Sequence, residues 1–273
     1  RQRQMCIRDS GRRFNGNWHE GKMEGYGTFS DLKGNRYEGD CKDNAYNGNG
    51  TFYFANGGQY EGEWKNGVIN GQGTYFYPFG NTYTGEWKNG KKDGSGKLYF
   101  PDGKVAYEGQ FVSNQREGNG KEFRKSGTVY YEGNWQKGKK NGPGTLFNSD
   151  GQKAFSGVFV KGKRDGQGKE YRKDGSLYYA GEWREEIKHG QGAIYNKKEK
   201  LVYTGQFREG KRHGKGKQYR EDGTLYYDGL WRKNKKHGEG SLFAKNGEQV
   251  FTGNFREGRS CLLYTSPSPR DRG

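Results

Sequence analysis

The stretch that decides the fold is YEGEWKNGVINGQGTYF, residues 60–76. Alternate residues of a β-strand share a face, so Tyr60, Gly62 and Trp64 would lie on one side of a strand and two glutamates on the other. The Asn-Gly pair that follows is a strong hairpin signal. We therefore predict a β-hairpin in which the middle glycine leaves a hollow for an aromatic ring from the neighbouring strand.

The same pattern recurs along the chain, with a spacing of 23 residues at first and 24 residues later. A Gly-x-Gly pair begins nine residues after each of the first ten motif glycines. Repetition at a fixed period is typical of repeat proteins. We predict eleven copies of one hairpin, and we expect its second strand to begin at the Gly-x-Gly. The motif glycines are residues 16, 39, 62, 85, 109, 133, 157, 181, 205, 229 and 253.

The longer repeats carry their extra residue near the turn that follows the second strand. A shift of one residue would turn the aromatic side chains of a strand to the other face. We therefore predict that a turn or a β-bulge absorbs the extra residue. The aromatic residue that closes the motif alternates between Phe and Trp from Phe111 to Phe255, which marks a super-repeat of 48 residues.

The predicted aromatic and glycine ladder consists of triplets at alternate positions of the first strands. One hairpin alone buries too little apolar surface to fold, whereas stacked neighbours share their contacts. The fold class that follows is all-β, an elongated, twisted, single-layer antiparallel meander of repeated β-hairpins. The triplets are Tyr60, Gly62 and Trp64; Tyr83, Gly85 and Trp87; Tyr131, Gly133 and Trp135; Tyr179, Gly181 and Trp183; and Tyr227, Gly229 and Trp231.

The two ends of the chain differ from its interior. Residues 1–10 and 260–273 show none of the periodicity, and we interpret them as non-native, artefactual tails. The repeat array then occupies residues 11–259. Only Cys41 of the three cysteines lies in the array, which is consistent with a reducing, cytoplasmic setting. The sequence contains no apolar run long enough to span a membrane.

The composition favours order and an acidic partner. Hydrophobic residues make up only 28% of the chain, but aromatic residues make up 16% and recur at fixed spacing, which disordered chains do not show. The formal charge of +17 favours an anionic membrane surface or an acidic protein. Nucleic acid is a poorer match, because the aromatic residues are needed for packing and leave no stacking platform.

Basic residues stand in pairs six and seven positions after several motif glycines. The predicted register places these pairs along one long edge of the array. A linear cationic edge suits an anionic membrane surface, to which each basic residue contributes about 1 kcal/mol. The alternative, in which these residues only solvate the turns, stays open. The pairs are Lys91/Lys92, Lys139/Lys140, Lys163/Arg164, Lys211/Arg212 and Lys235/Lys236.

The sequence offers no motif for catalysis, a cofactor or a metal. The Gly-x-Gly pairs lack the buried strand before them and the helix after them that a nucleotide site requires. His189, His213 and His237 occupy one repeat position and would lie about 10 Å apart, too far for one metal ion. An active site is a unique constellation, not a repeated one. We expect a protein that is not an enzyme and that binds no cofactor.

The repeat resembles the MORN repeat (membrane occupation and recognition nexus). The resemblance rests on YEGEWKNG at 60–67 and GQGTY at 71–75, and it covers residues 11–259. The copies depart from the pattern at Asp40-Cys41 and at Glu185-Glu186-Ile187, where the turn lacks glycine. The resemblance implies a non-catalytic scaffold or adaptor that tethers proteins at a membrane or cytoskeletal structure through anionic phospholipids.

The resemblance also implies protein partners, and dimerisation through exposed terminal edge strands. Together with the missing secretion signal, it favours a cytoplasmic location, peripheral to a membrane or associated with the cytoskeleton or a cilium. Two other functions stay open. In the first, the chain is the regulatory MORN segment of a larger enzyme, such as a phosphatidylinositol phosphate kinase. In the second, it is an axonemal structural component.

Overall fold

The computed structural model describes residues 3–7 and 13–261, and in these residues it contains strands and turns but no helix. The predicted all-β class is confirmed. The described chain separates into two compact units. The first comprises residues 3–7 and 13–142 with 149–151, and the second comprises residues 143–148 and 152–261.

The strands alternate between the two types that the sequence predicts, a first strand that carries the aromatic-x-Gly-x-aromatic motif and a second strand that carries the Gly-x-Gly. The strands up to the boundary between the units are β1 Arg3–Ile7, β2 Arg13–His19, β3 Lys22–Ser30, β4 Arg36–Lys42, β5 Ala45–Tyr53, β6 Gln59–Lys65, β7 Val68–Phe76, β8 Thr82–Lys88, β9 Lys91–Tyr99, β10 Val105–Val112, β11 Gln115–Phe123, β12 Val129–Gln136 and β13 Lys139–Phe147. The strands after the boundary are β14 Lys153–Val160, β15 Lys163–Tyr171, β16 Leu177–Arg184, β17 Ile187–Tyr195, β18 Leu201–Arg208, β19 Lys211–Tyr219, β20 Leu225–Arg232, β21 Lys235–Phe243, β22 Gln249–Arg256 and β23 Arg259–Ser260.

Within each unit every strand pairs antiparallel with the strand that follows it, from β1 to β12 in the first unit and from β14 to β23 in the second. This confirms the predicted antiparallel meander of hairpins. Part of the N-terminal segment predicted to be a foreign tail, Arg3–Ile7, pairs with β2. The rest of that segment and residues 262–273 lie outside the described residues, and the artefactual origin of both tails stays a prediction.

The hairpin turn follows the sequence prediction, but the strand after it starts earlier than predicted. Asn66 and Gly67 have φ angles of 50° and 79°, the left-handed pair that a two-residue hairpin turn requires. β7 therefore begins at Val68, which pairs with Lys65, and not at Gly71. The prediction that the second strand begins at the Gly-x-Gly is wrong, because so tight a turn returns the chain to pairing at once.

The first glycine of the Gly-x-Gly lies in a β-bulge. Gly62 pairs with Gly73, whereas Trp64 pairs with Ile69, so three residues of β7 face one residue of β6. Gly71 lies in this bulge with a φ of 92°, a conformation that side chains other than glycine rarely adopt. The carboxylate of Glu63, opposite, accepts a hydrogen bond from the bulged backbone at 2.9 Å. The bulge explains why each second strand carries this glycine.

The second glycine of the pair lies under an aromatic ring. The side chain of Tyr60 leans along its own strand over Gly62 and Gly73, and its hydroxyl donates to the backbone oxygen of Glu63 at 3.1 Å. A Cβ on Gly62 would lie 2.7 Å from the Tyr60 hydroxyl. The predicted hollow exists, but the tyrosine of the same strand fills it. The expected occupant, a ring of the neighbouring strand, was wrong, because side chains in strands lean along the strand direction.

The aromatic residue that closes the motif contacts the tyrosines of two successive hairpins. Trp64 contacts Tyr60 and also Tyr37 of the preceding repeat, edge to face, with ring centroids 5.4 and 5.5 Å apart. Its Nε1 donates to the backbone oxygen of Gly50 at 3.1 Å. Edge-to-face pairs stabilise more than their buried area alone. Along each unit, tyrosine and tryptophan or phenylalanine rings thus alternate in contact, and we call this row of rings the ladder.

Of the two predicted possibilities, a turn or a β-bulge, the structure shows that a β-bulge absorbs the extra residue of the longer repeats. In β10, Val105 pairs with Tyr99 and Tyr107 with Leu98, so Ala106 has no paired residue in β9. The 23-residue repeats pair without this interruption. The bulge keeps the ladder tyrosine on its face. The equivalent residues in later strands are Tyr130, Tyr178, Val202, Tyr226 and Val250.

The two departures from the repeat pattern are accommodated locally. Cys41 takes the place of a tryptophan and is 3% exposed. The ring of Tyr46 occupies the space beside it and stacks on Tyr37 at a centroid distance of 3.8 Å. In the turn without glycine, Glu185 and Glu186 adopt φ angles of 45° and 74°. Neither departure interrupts the pairing of its strands.

Burial of the ladder predicts a two-step titration of the tyrosines. Desolvation raises the pKa of Tyr107, Tyr131 and Tyr227 to about 12, from an ordinary value of 10.0. A folded-state pKa above the unfolded value contributes stability that is complete below pH 10 and is lost as the pH rises through about 12. We expect exposed phenols to titrate first by near-ultraviolet absorbance, and the ladder phenols to follow together with unfolding. A single step in the folded protein, like that in denaturant, would contradict this.

Candidate functional site

Each strand has two faces, and the turn geometry determines which face a basic residue reaches. The ladder face carries Tyr60 and Trp64, and the opposite face, which we call the polar face, carries the intervening glutamates. The second strand begins directly after the turn, so its first residue points to the polar face and its second residue to the ladder face. This alternation divides the basic pairs predicted from the sequence.

The structure separates the two members of every predicted basic pair. The first members are exposed, and the second members are half-buried. The ten residues therefore do not share one cationic edge, since five of them lie against the ladder. The exposed residues are Lys91, Lys139, Lys163, Lys211 and Lys235, and the half-buried residues are Lys92, Lys140, Arg164, Arg212 and Lys236.

The half-buried cations cover the ladder rings. The Nζ atom of Lys140 lies 5.0 Å from the ring centroid of Tyr131, and the guanidinium carbon of Arg164 lies 4.3 Å from that of Trp183. Arg212 lies 4.2 Å from Trp231 in the same way. A cation over an aromatic face is attracted by the ring, more strongly where water is excluded. These side chains stabilise the ladder, and their aliphatic stems shield it from solvent.

Sequence reasoning missed two members of the half-buried set. Arg116 and Lys188 stand at the same repeat position, and each lies over a ladder tryptophan, at 4.8 Å from Trp135 and 5.6 Å from Trp183. Their preceding residues are Gln and Ile, so a search for basic pairs does not find them. A search of the single position that pairs with the closing aromatic residue would have found both.

The exposed cations at the hairpin ends include like charges placed directly opposite one another. Lys88 at the end of β8 pairs with Lys91 at the start of β9. Like charges directly opposite in a sheet are destabilising. The predicted basic pairs did not include the first member of any of these pairs, nor Arg259, because the register was needed to place these residues. The opposed pairs of this kind are Lys88/Lys91, Arg208/Lys211, Arg232/Lys235 and Arg256/Arg259.

Some exposed cations have a nearby carboxylate and others do not. Lys235 lies 2.6 Å from a carboxylate oxygen of Glu257, and Lys163 lies 3.7 Å from one of Glu185. In the described part of the chain, no carboxylate lies within ion-pair distance of Lys91. The same holds among those residues for Lys139 and Lys211. Because exposed ion pairs contribute little stability, even the paired lysines stay available to a partner.

The three histidines at one repeat position lie in separate second strands, His189 in β17, His213 in β19 and His237 in β21. Among residues 3–7 and 13–261, no three His, Cys, Asp or Glu side chains come together as a metal site would require. The part of the chain that the structure describes contains no helix with the length and apolar character needed to cross a lipid bilayer.

The fold and these surfaces define a β-hairpin repeat protein with repeated cationic positions. The family model for the MORN repeat matches residues 14–36, 37–59, 60–82, 83–105, 107–129, 131–153, 155–177, 179–194, 203–225 and 227–249. The chain belongs to the MORN repeat family. The ten matched repeats are one fewer than the eleven copies predicted, and the last predicted copy, around Gly253, lies after the final match.

Two solved structures show a weak overall similarity to the chain. The TCP10 domain of Danio rerio CPAP is 11% identical, with a TM-score of 0.40, over 92% of this chain and 100% of that chain. The TCP domain of Drosophila melanogaster SAS-4 (dCPAP), solved with a proline-rich motif of Ana2 (dSTIL), is 15% identical, with a TM-score of 0.32, over 55% of this chain and 86% of that chain. Comparison with curated proteins found no match.

Proposed function

We propose that the chain is a non-catalytic scaffold that docks on an anionic phospholipid surface through its exposed hairpin-end cations and holds protein partners there. The observation that carries this proposal is the direct opposition of like charges, as at Lys88 and Lys91. Such pairs destabilise the isolated sheet. An anionic surface that binds both members would relieve this repulsion. Membership of the MORN repeat family, whose repeats suggest a membrane or protein-interaction scaffold, supports the same function.

The pair at the β8–β9 turn is the simplest pair to test. The turn between Lys88 and Lys91 is Asn89-Gly90, which adds no charge. Both lysines are exposed, and neither has an ion-pair partner among the described residues. Each basic residue near an anionic leaflet contributes about 1 kcal/mol to binding. Two such residues on one rigid turn would therefore contribute about 2 kcal/mol.

The test is a vesicle co-sedimentation measurement on the double variant Lys88→Gln, Lys91→Gln. We expect binding to phosphatidylcholine vesicles that contain phosphatidylserine to weaken roughly 30-fold, the equivalent of about 2 kcal/mol. Stability should stay the same or rise, since the opposed charges are gone. Raising the salt concentration should weaken binding of the unmodified chain in the same direction, because salt screens exposed charges.

The matched control removes the same charge from the other ends of the strands. Lys33 and Lys125 are exposed in the loops that join second strands to first strands. The double variant Lys33→Gln, Lys125→Gln should bind the vesicles almost as well as the unmodified chain. Equal loss in both variants would show that net charge alone drives binding. Binding that is indifferent to phosphatidylserine would remove the membrane from the proposal, and the dimerisation through terminal edge strands would stay a separate prediction.

A further inference from the structure

The ladder face carries a second, different set of charges. In each 48-residue super-repeat, an arginine follows the turn of the phenylalanine hairpin and a lysine follows the turn of the tryptophan hairpin. A third position, near the middle of the ladder face, holds Glu122 in the first super-repeat and Glu170 in the second. In the last super-repeat this position holds Gln218. Every copy but the last thus has a carboxylate there.

In the first super-repeat this carboxylate bridges the two cations. Glu122 Oε1 accepts a hydrogen bond from Nη1 of Arg116 at 3.1 Å, and its Oε2 lies 3.0 Å from Nζ of Lys140. The Oε2 atom is wholly screened from solvent. The Lys140 side chain is 15% exposed. The carboxylate therefore pairs with two cations that the ladder has largely removed from water, where an unpaired charge is costly.

The second super-repeat provides a separate carboxylate for each cation. Nζ of Lys188 lies 2.6 Å from Oε2 of Glu170, and this oxygen is again wholly screened from solvent. Nε of Arg164 lies 2.6 Å from Oε2 of Glu186. Both half-buried cations of this copy have an acidic partner.

The last super-repeat keeps both cations and replaces both acids by amides. Among the described residues, Arg212 donates its backbone N–H to Oδ1 of Asn234 at 2.8 Å and its Nη2 to the backbone oxygen of Asn234 at 3.1 Å. Nζ of Lys236 lies 4.1 Å from the ring centroid of Tyr226. Within residues 13–261, no carboxylate lies within ion-pair distance of either cation. Burial, and after it the charge of Arg212, lowers the pKa of Lys236.

We propose that Arg212, Gln218 and Lys236 form a binding site for a carboxylate side chain of a partner protein. That carboxylate would bind to Arg212 and Lys236 beside the Gln218 amide, much as the carboxylate of Glu122 binds Arg116 and Lys140. Lys236 offers free ammonium protons, and the Gln218 amide makes no hydrogen bond to any described residue. The ligand is a carboxylate because the equivalent cations hold carboxylates in two other copies, Glu122 on both cations in the first and Glu170 on Lys188 in the second. The site lies on the ladder face, opposite the face that carries the exposed hairpin-end cations.

The six tryptophans provide a built-in comparison of the copies. Trp231 lies under Arg212, whereas Trp135 lies beside the carboxylate-filled site and Trp183 beside the second one. The experiment is an NMR titration of the indole N–H signals in the full chain with a blocked Gly-Glu-Gly peptide. We expect a saturable shift of Trp231 and no shift of the other two. The Gly-Gln-Gly peptide should leave all three unchanged.

Two single substitutions test the site further: one should remove it beside Trp231, and the other should create an equivalent site beside Trp135. Gln218→Glu places a carboxylate between the cations, as in the other copies, and should weaken peptide binding at Trp231 at least tenfold. Glu122→Gln should create the same site beside Trp135 and make its indole respond. Gln115→Glu, an exposed change of equal charge in the first unit, should leave the Trp231 response intact.

Three outcomes would overturn the assignment. One is an equal response of Trp231 and Trp135 in the unmodified chain, and another is a Trp231 response that persists in Gln218→Glu. The third is a response of Trp231 to inorganic phosphate at lower concentration than to the peptide, which would replace the carboxylate by a phosphate ligand. Thermal unfolding of each variant verifies that it is folded, and Gln218→Glu should be at least as stable as the unmodified chain.

Discussion

Replacing Tyr179 by alanine is expected to lower the free energy of unfolding by about 3–5 kcal/mol, the range for removal of a large buried aromatic side chain. Tyr179 is 0% exposed and contacts Trp183 and Phe207 edge to face, at 5.4 and 5.2 Å. The substitution removes both ring contacts and uncovers two strand glycines. Urea unfolding followed by tryptophan fluorescence measures the loss, and hydrogen exchange shows whether it is confined to neighbouring strands.

The control for this substitution is Tyr179→Phe. The Tyr179 hydroxyl donates to the backbone oxygen of Glu182 at 3.0 Å, and loss of such a bond costs about 1 kcal/mol. The chain itself carries Phe155 at the equivalent position, where its ring makes the same edge-to-face contacts. We therefore expect phenylalanine to retain most of the stability. An equal loss in both variants would show that the hydroxyl, not the ring, stabilises the ladder.

Replacing Gly181 by alanine is expected to cost at least about 3 kcal/mol, at the upper end of the range for overpacking. A Cβ at this position would lie 2.5 Å from the backbone oxygen of Gln191 and 2.5 Å from the Cα of Gly192. Both atoms belong to the backbone of the neighbouring strand, so no side-chain rotation relieves the clash. The new methyl group would separate β16 from β17 and displace the ring of Tyr179. Thermal unfolding and hydrogen exchange of these two strands measure the effect.

The matched control is Gly175→Ala, in the loop before the same strand. Gly175 has a φ of 84°, but no atom lies within 4 Å of the position that a Cβ would take. The change therefore costs only the left-handed backbone conformation, about 1–2 kcal/mol. If the two alanine variants were equally destabilised, the strand glycines would be required for backbone conformation and not for close approach of the neighbouring strand.

Periodicity alone was enough to predict the two types of strand, the antiparallel meander and the Asn-Gly turn, and it limited the site of the extra residue to a turn or a bulge. Each of these follows from local spacing and from the two-residue alternation of a strand. The direction in which the Tyr60 ring leans was not predictable in this way, because it depends on which neighbouring atoms fill the space over Gly62 and Gly73. The bulge at Gly71 was also missed, because it is defined only by the register of two strands.

The candidate site was predicted only in part. The sequence identified ten basic residues, but treating positions six and seven after the glycine as turn residues placed both on one edge. Because β9 begins at Lys91, that lysine and Lys92 lie on opposite faces. The opposed partner Lys88 and the missing acid at Gln218 became visible only when equivalent positions of several repeats were compared in register. The effect of each charged residue in this chain depends on the residues that face it across the strands.

The ladder also bears on how the chain folds. The ring of Tyr60 contacts Trp64 of its own hairpin and Trp87 of the next one. Contacts of such short sequence separation are closed at low entropic cost, and proteins rich in them fold quickly. In arrays of this kind, folding starts at any repeat and propagates to its neighbours. Once several neighbouring repeats have emerged during synthesis, a nascent chain would therefore acquire stable structure and extend it by one hairpin at a time, long before its last repeat leaves the ribosome.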